Sequence, residues 1–551
     1  MQKKMIVGDE RFDVLRNSSG YYIDKTELIY SLVEQSGNTV TLFTRPRRFG
    51  KTLTMTMMES FFDIRRSDGS DLFDGLKIML HPDFCERWMN QYPVIFLSLK
   101  DAEGLSFDAA LSKLRVIIAD LCKKHDYLAD CPKVNPFDKE LFLRLQQGSV
   151  TPEELQSALK LIMRMMTAVH GKPAILLIDE YDVPLAKASE RGYYAQMLDL
   201  IRGIMSVSLK TNEYLKFAVI TGCLRIAKES IFTGVNNFST YSVLDERYAD
   251  CFGFTPSEVD QLLAEFQLEN KADTIRQWYD GYRFGNADIY CPWDVVSYVS
   301  DLLYSENANP KNYWKNTSGN GVIRSFFERA EFEVSDKFET LLNGGFIRET
   351  VEADLTYDRL YASESSLWSV LLMTGYLTTV PDPENSDSMT LQIPNREIAS
   401  IFQDTVVDHF AKSVDQSRLS ALMDSLWNGD ADTASKIMSD LLWETISYMD
   451  YHEDYYHAFL AGLFVGRGYE VSSNKERGLG RPDIVLRDKR NRRAIVLEAK
   501  KADSPDLMEA ACQEGLTQIV ERQYAKHLSG YEAVRCYAVA FYRKTALVKQ
   551  L

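Results

Sequence analysis

Four groups of residues in this 551-residue chain have the types and spacing for chemistry on phosphates. The first is Gly50-Lys51-Thr52, inside the stretch VTLFTRPRRFGKTLTMTMMESFF (40–62). A Gly-Lys-Thr that opens a helix offers backbone N–H groups to a polyphosphate, a lysine to its β/γ end and a hydroxyl to Mg²⁺. Arg47, Arg48 and Phe49 complete that loop. The first glycine of G-x-x-x-x-G-K-[ST] falls at Arg45, so one position departs from the pattern while its strand–loop–helix context is met. A basic turn that happens to contain Gly-Lys-Thr is the alternative.

The second group is Asp179-Glu180, which closes the apolar run AILLI (174–178). A strand of this kind delivers Asp179 to the Mg²⁺ shell and sets Glu180 to polarise an attacking water. Thr221 and Arg225, at the end of LKFAVIT (215–221), form the third. Thr221 could orient that water, and Arg225 could offset transition-state charge. A capping threonine and a surface arginine are equally open. The fourth is Asp483 with Glu498 and Lys500. Two hard carboxylates suit Mg²⁺ or Mn²⁺, and a lysine two residues along the same strand shares their face and can position a water. The alternative is a salt-bridge cluster at a sheet edge. Glu453 and His457, at i and i+4 of EDYYHAFLAGLF (453–464), could add a metal or substrate contact, and Gln518 is a weaker candidate.

These groups need elements to hold them. Val40–Thr44 reads as a strand, followed by a helix with a stripe at Leu53, Met57, Met58, Phe61 and Phe62. PVIFLSL (93–99) is a second buried strand, and helices are expected over about 105–125 and 151–168. Strands alternating with helices over 40–221 imply a mostly parallel sheet, whose ligands lie at the strands' C-terminal ends. Thr255-Pro256-Ser257-Glu258 is a capped helix start. Aromatic turns at 278–285, 290–293 and 313–320 read as packing anchors. The expected organisation is an α/β domain over 1–245, a helical lid over 246–340, a helical connecting region over 341–445 and a second α/β domain over 446–551. In the last, RDKRNRR (487–493) is a basic hairpin turn, either a phosphate grip or simply a charged tip.

Composition bounds the rest. The net charge is −16, yet residues 446–551 carry 17 Lys+Arg against 14 Asp+Glu, so a polyanion is expected to meet the C-terminal part. The eight cysteines form no C-x-x-C and no zinc spacing, which suits a reduced cytoplasm. The start MQKKMIVGDERFDVLR has no apolar stretch, and no run reaches 18 apolar residues, so neither a signal peptide nor a membrane span is expected.

YYIDKTELI, RPRRFGKT, ILLIDEYDVPL, ITGCLRIAKESIFTG with NNF, WYDGYRFG, YWKNTSGN, IPNREI, EDYYHAF and SNKERGLGRPDIVL with IVLEAKK run over most of the chain. With these the sequence resembles the bacterial AAA-ATPase-like proteins that carry a C-terminal PD-(D/E)XK nuclease-superfamily domain. That family writes its phosphate loop with arginine at the first glycine position. The resemblance implies a P-loop NTPase sheet with a helical lid and a restriction-endonuclease-like α/β domain. It also implies ATP and Mg²⁺ at Lys51, Thr52, Asp179 and Glu180, a nuclease triad of Asp483, Glu498 and Lys500, and a metal role for Glu453. Implied partners are DNA or RNA, and a homo-oligomer is allowed because AAA-like ATPases often form rings. Wider relatives include ATPase–nuclease fusions linked to defence or mobile elements. The rival reading is a nucleotide-dependent switch or scaffold whose C-terminal domain binds without cutting.

Overall fold

In the computed structural model, the described residues are 3–551 apart from 36, 67–68, 226–230, 233–237, 315–334, 343, 354, 356, 358–362, 382–387, 414–415, 446–452, 465–469, 474–481 and 529. The chain forms two compact units. Residues 1–318 and 348–397 make the first, and residues 319–347 and 398–551 the second.

The first unit is built on a parallel five-stranded sheet of β1 (Val40–Thr44), β2 (Val94–Ser98), β3 (Ala174–Asp179), β4 (Leu215–Gly222) and β5 (Phe238–Tyr241). Every residue of β1 and β3 is buried, as continuous apolar runs require when helices cover both faces. The order is β2-β3-β4-β1-β5. Strand β1 therefore does not lie beside β2, and β4 separates the strand before the Gly-Lys-Thr loop from the strand ending in Asp179. The pairings Thr44 with Gly222, Phe43 with Thr221 and Ile178 with Ile220 bring the three polar strand ends to one edge.

Helix α1 (Lys51–Phe62) lies against this sheet. Met57, Met58, Phe61 and Phe62 share a core cluster with Phe43, Ile175, Leu177 and Val219. Helix α2 (Pro256–Glu265) starts as read from its sequence. Glu258 N–H donates to Thr255 Oγ1 at 3.4 Å, and Thr255 N–H donates to Glu258 Oε2 at 2.8 Å. Such a cap contributes about 1 kcal/mol. Helix α3 (Pro292–Tyr304) follows a short hairpin of Tyr282–Phe284 and Ala287–Ile289.

The second unit holds a mixed sheet of β6 (Glu470–Ser473), β7 (Ile484–Asp488), β8 (Arg493–Lys501), β9 (Ala533–Tyr542) and β10 (Thr545–Gln550), in that order. Only β8 and β9 run parallel, and helix α5 (Met508–Glu521) makes their crossover. Helix α4 (Glu453–Phe464) covers the other face. The two-residue period of β8 sorts its side chains. Ile495, Leu497 and Ala499 join Phe459 and Leu460 of α4, while Val496 joins Cys512, Leu516 and Ile519 of α5. Glu498 and Lys500 share the parity of Val496. No helix among the described residues is long and apolar enough to cross a membrane.

Candidate functional site

In the first unit the loop between β1 and α1 borders a cavity of about 440 Å³. Its walls include Arg47 to Thr52, Glu180, Lys100, Lys187 and Trp293, with Ile6, Gly8 to Glu10 and Tyr21 to Ile23 from the N-terminal segment. Gly50 caps α1 with φ +82°, a left-handed conformation that glycine adopts without strain. Arg48 takes φ +72° and Glu180 φ +52°, so two non-glycine residues of the site hold the disfavoured region.

The centre is Asp179, fully buried at the end of β3. Thr52 Oγ1 donates to its Oδ2 at 2.8 Å, and Thr221 Oγ1 donates to its Oδ1 at 2.5 Å. Glu180 N–H reaches Thr221 Oγ1 at 3.4 Å. Burial raises the pKa of Asp179, against the pull of the two hydroxyls and Lys51. Burial likewise raises Glu180, opposed by Lys51. Lys51 is itself buried and donates to the carbonyls of Arg45 at 3.1 Å and Pro46 at 2.9 Å, with its Nζ 3.6 Å from Cys223 Sγ. Desolvation works against its charge, but Cys223, Glu180, Asp179 and Asp182 outweigh it and raise the pKa. The lysine is a stable cation at the mouth of a helix, facing an acidic pair.

Arg45, the departure from the glycine pattern, does not face the cavity. It is fully buried and donates to the carbonyls of Thr44 at 2.9 Å, Tyr241 at 3.0 Å and Tyr248 at 3.0 Å. Burial lowers its pKa to about 10, and its guanidinium sits 5.3 Å from the ring centres of Phe252 and Phe284. Arg45 thus fastens the loop's first residue to β5 and the segment after it. Phe49 is buried against Tyr282 and Phe284, and its carbonyl accepts Gly253 N–H at 3.2 Å. Arg48 lies on the Trp293 ring at 4.1 Å.

Of the remaining expected residues, Thr221 is committed to Asp179. Arg225 is half-buried, its carbonyl accepts Leu355 N–H at 3.1 Å, and it is not among the residues lining the cavity. The turn that carries it is fixed by Asp182, whose Oδ2 accepts the N–H groups of Cys223 and Leu224, each at 3.0 Å, and the Tyr357 hydroxyl at 3.1 Å.

In the second unit, β7 and β8 bring Asp483, Glu498 and Lys500 together. Asp483 Oδ2 accepts Ala499 N–H at 2.8 Å, and Asp483 N–H points to Glu498 Oε2 at 3.4 Å. Lys500 Nζ lies 3.8 Å from Glu498 Oε1, with their side chains 13% and 2% exposed. A carboxylate and a cation so withdrawn from water feel each other strongly. A Cβ at Gly515 of α5 would sit 2.9 Å from Ala538 Cβ and 3.4 Å from Lys500 Cγ, so glycine lets α5 close over this face.

His457 of α4 is hydrogen-bonded through Nε2 to the Asp483 carbonyl at 2.8 Å. It steadies the start of β7. Gln518 Nε2 donates to the Tyr524 hydroxyl at 3.1 Å. The Glu453 side chain lies outside the described residues. Within the described residues no three His, Cys, Asp or Glu side chains converge as a metal cluster.

Residues 6–232 match the family described as "Predicted AAA-ATPase", and residues 451–551 match the PD-(D/E)XK nuclease superfamily. The chain joins an AAA-ATPase-like region to a PD-(D/E)XK nuclease-superfamily region. It is also similar to a protein of Azotobacter chroococcum mcd 1 described as "Uncharacterized protein in vnfD 5'region", with 24% identity over 498 residues, 88% of this chain and 87% of that one. The motifs of the AAA-ATPase-like region carry no signal for the role of Asp182 and do not reveal the partners of Arg45 and Trp293. The signal for Arg45 was present as an arginine in place of glycine, but its partners lie 196 and 203 residues away. In the nuclease-superfamily region the contacts of Asp483, Glu498, Lys500 and His457 are local to the β7–β8 hairpin and its flanking helices.

Proposed function

We propose that the AAA-ATPase-like region binds and hydrolyses ATP with Mg²⁺, and that the nuclease-superfamily region cuts DNA or RNA under control of that nucleotide. The observation that carries the first half is the convergence of Thr52 and Thr221 on Asp179. Hydroxyl and carboxylate oxygens are the hard donors that suit Mg²⁺, so the residues present fit the ion. Thr52 and Asp179 would hold it, directly or through water. The N–H groups at the start of α1 and the Lys51 ammonium receive the phosphates. Glu180, kept less acidic by burial, accepts the proton of the attacking water, and Thr221 holds Asp179 in place.

Asp483 and Glu498 are the matching donors in the nuclease-superfamily region, with Mg²⁺ or Mn²⁺ as the ion they suit. A divalent cation bound there would lower the pKa of a water and polarise a phosphodiester. Lys500 orients the nucleophile and offsets charge on the phosphate, while His457 and the Ala499 N–H hold Asp483 to the strand. The basic β7–β8 turn contributes backbone contacts to nucleic acid.

Plasmid DNA and RNA incubated with Mg²⁺ or Mn²⁺, with and without ATP, test both halves. Cleavage abolished by Asp483→Ala and by Lys500→Ala is expected. Equal, absent cleavage in all three proteins, with no Mn²⁺ binding that depends on Asp483 and Glu498, would transfer the reading to a nucleotide-dependent scaffold.

A further inference from the structure

The phosphate loop is held from below by residues outside the nucleotide motifs. Two of its successive carbonyls accept from side chains more than 200 residues away. Trp314 Nε1 donates to the Arg47 carbonyl at 3.5 Å, and Cys291 Sγ donates to the Arg48 carbonyl at 3.9 Å. Both donors rest on one buried pair of acids. Glu397 Oε1 accepts Trp314 N–H at 2.8 Å. Asp294, in the first turn of α3, is hydrogen-bonded to Cys291, whose single S–H is shared between this carboxyl and the Arg48 carbonyl. Asp294 and Glu397 are 1% and 0% exposed and hydrogen-bond each other.

Among the described residues, no N–H or O–H satisfies Asp294 Oδ1 or Glu397 Oε2, both buried. Two carboxylates cannot share a dry site, and a single proton between them removes both the repulsion and the two orphan acceptors. Burial raises both carboxyls, and the charge of Asp294 raises Glu397 further. The groups facing the pair are Arg48 of the loop, Cys291, and the phenols of Tyr279, Tyr282 and Tyr313. Arg48 is the cation among them, so it favours a charged Asp294 and leaves the proton on Glu397.

We infer that Asp294 and Glu397 are positioning residues of the phosphate loop: they share one proton, and through Cys291 and Trp314 they set the carbonyls of Arg48 and Arg47. Turning those carbonyls away from the cavity aims the N–H groups of residues 48 and 49 into it. This rests on the nucleotide reading of that cavity only for its consequence. The strut itself can be measured without nucleotide.

The test is amide hydrogen exchange of residues 45–52 in the full chain, at about pH 7. Glu397→Gln keeps a neutral hydrogen-bonding group, accepting from Trp314 and donating to Asp294. Its exchange should match wild type. Trp314→Phe keeps the ring and loses the donor, and Glu397→Ala removes the strut. Each should speed exchange about tenfold, as local opening does.

Between about pH 7 and about pH 10, wild type should lose thermal stability, because the folded pair binds a proton that the unfolded chain has released. Glu397→Gln should not lose it. Loop exchange unchanged in Trp314→Phe and Glu397→Ala, or Glu397→Gln as fast as Glu397→Ala, overturns the proposal. ATP titration of wild type against Lys51→Ala judges the nucleotide reading separately. If wild type binds ATP, Glu397→Ala should bind it about tenfold more weakly and Glu397→Gln within about twofold.

Discussion

The two sites are both acidic groups at strand ends, but they are assembled in opposite ways. The Asp179 site draws on β1, β3 and β4 and is buttressed from far along the chain. Arg45 reaches Tyr241 and Tyr248, Phe49 accepts from Gly253, and Trp314 reaches Arg47 across 267 residues. The Asp483 site is made by one hairpin and the helices beside it, and its contacts along the hairpin span 15 and 16 residues. The difference teaches what each site depends on. A local site needs its own strands to form. A buttressed site needs the whole first unit, so changes well outside its motifs should reach its chemistry.

The sharpest way to break the comparison is to disable one site and read both. Asp483→Asn keeps the size of the side chain and removes the charge that would hold a divalent cation. Cleavage should fall about a hundredfold or more, while phosphate release from ATP stays at the wild-type rate. Lys51→Ala should do the reverse to phosphate release. If Lys51→Ala also suppresses cleavage in the presence of ATP, the control proposed above operates. If it leaves cleavage untouched, the two regions are independent enzymes on one chain.

A smaller effect comes from the buttress. Arg45→Met preserves apolar contact with Phe252 and Phe284 but leaves the carbonyls of Thr44, Tyr241 and Tyr248 without this donor. The expected loss is about 3 kcal/mol of stability for buried acceptors left unpaired. It should appear as a lower denaturant midpoint for the first unit, with cleavage by the second unaffected. An unchanged midpoint would mean that water replaces the guanidinium and the clamp is dispensable.

The contrast also explains what could be read from the residues. The strands Val40–Thr44 and Ala174–Asp179, the Thr255 cap and the β7–β8 hairpin are legible because each follows from a local pattern of apolar residues, capping groups or turn. The association of Asp483 with Glu498-x-Lys500 is legible for the same reason, since a hairpin converts spacing into proximity. The order β2-β3-β4-β1-β5 follows from no single segment. It decides that Thr221 meets Asp179, 42 residues earlier in the chain. Arg45, Asp294 and Glu397 were illegible because a buried charge is defined by partners far along the chain, 196 and 203 residues from Arg45 and 83 from Glu397. His457 and Glu453 share a helix face by sequence, yet His457 spends its Nε2 on the Asp483 carbonyl, which no helical spacing reveals.

Acid should separate the units further. His125, at the end of the helix Phe107–Lys124, is fully buried, and among the described residues neither ring nitrogen has a hydrogen-bond partner. Burial lowers its pKa to about 3, with Arg65 and Lys124 adding to the effect. The unfolded chain therefore binds a proton that the folded one refuses, and stability falls as pH drops below the ordinary histidine value of about 6.5. At pH 5 the first unit should have lost about 2 kcal/mol relative to pH 7.5. His125→Leu should remove most of that loss, seen as a melting temperature that no longer falls with acidification. A variant as acid-sensitive as wild type would assign the loss to other groups.

The smallest stability effect, and the one that tests the nucleic-acid side, lies in the β7–β8 turn. Asp488 accepts from Asn491 and from Arg493, and Arg493 lies 4.2 Å over the Trp427 ring, so that arginine is part of the packing. Lys489 and Arg492 are different. Their side chains are 73% and 64% exposed, and they pair with Glu470 and Glu532 at the surface. Exposed pairs contribute well under about 1 kcal/mol. Lys489→Ala with Arg492→Ala should therefore leave the melting temperature unchanged. If the turn touches phosphates, the same double variant lowers the slope of log affinity against log salt. The drop is about 1.8 on duplex DNA and about 1.4 on single strands, because each lost phosphate contact removes one counterion release. A slope equal to wild type on both substrates would make this turn a charged tip, and would move the nucleic-acid contact to the face of β8 that carries Glu498 and Lys500.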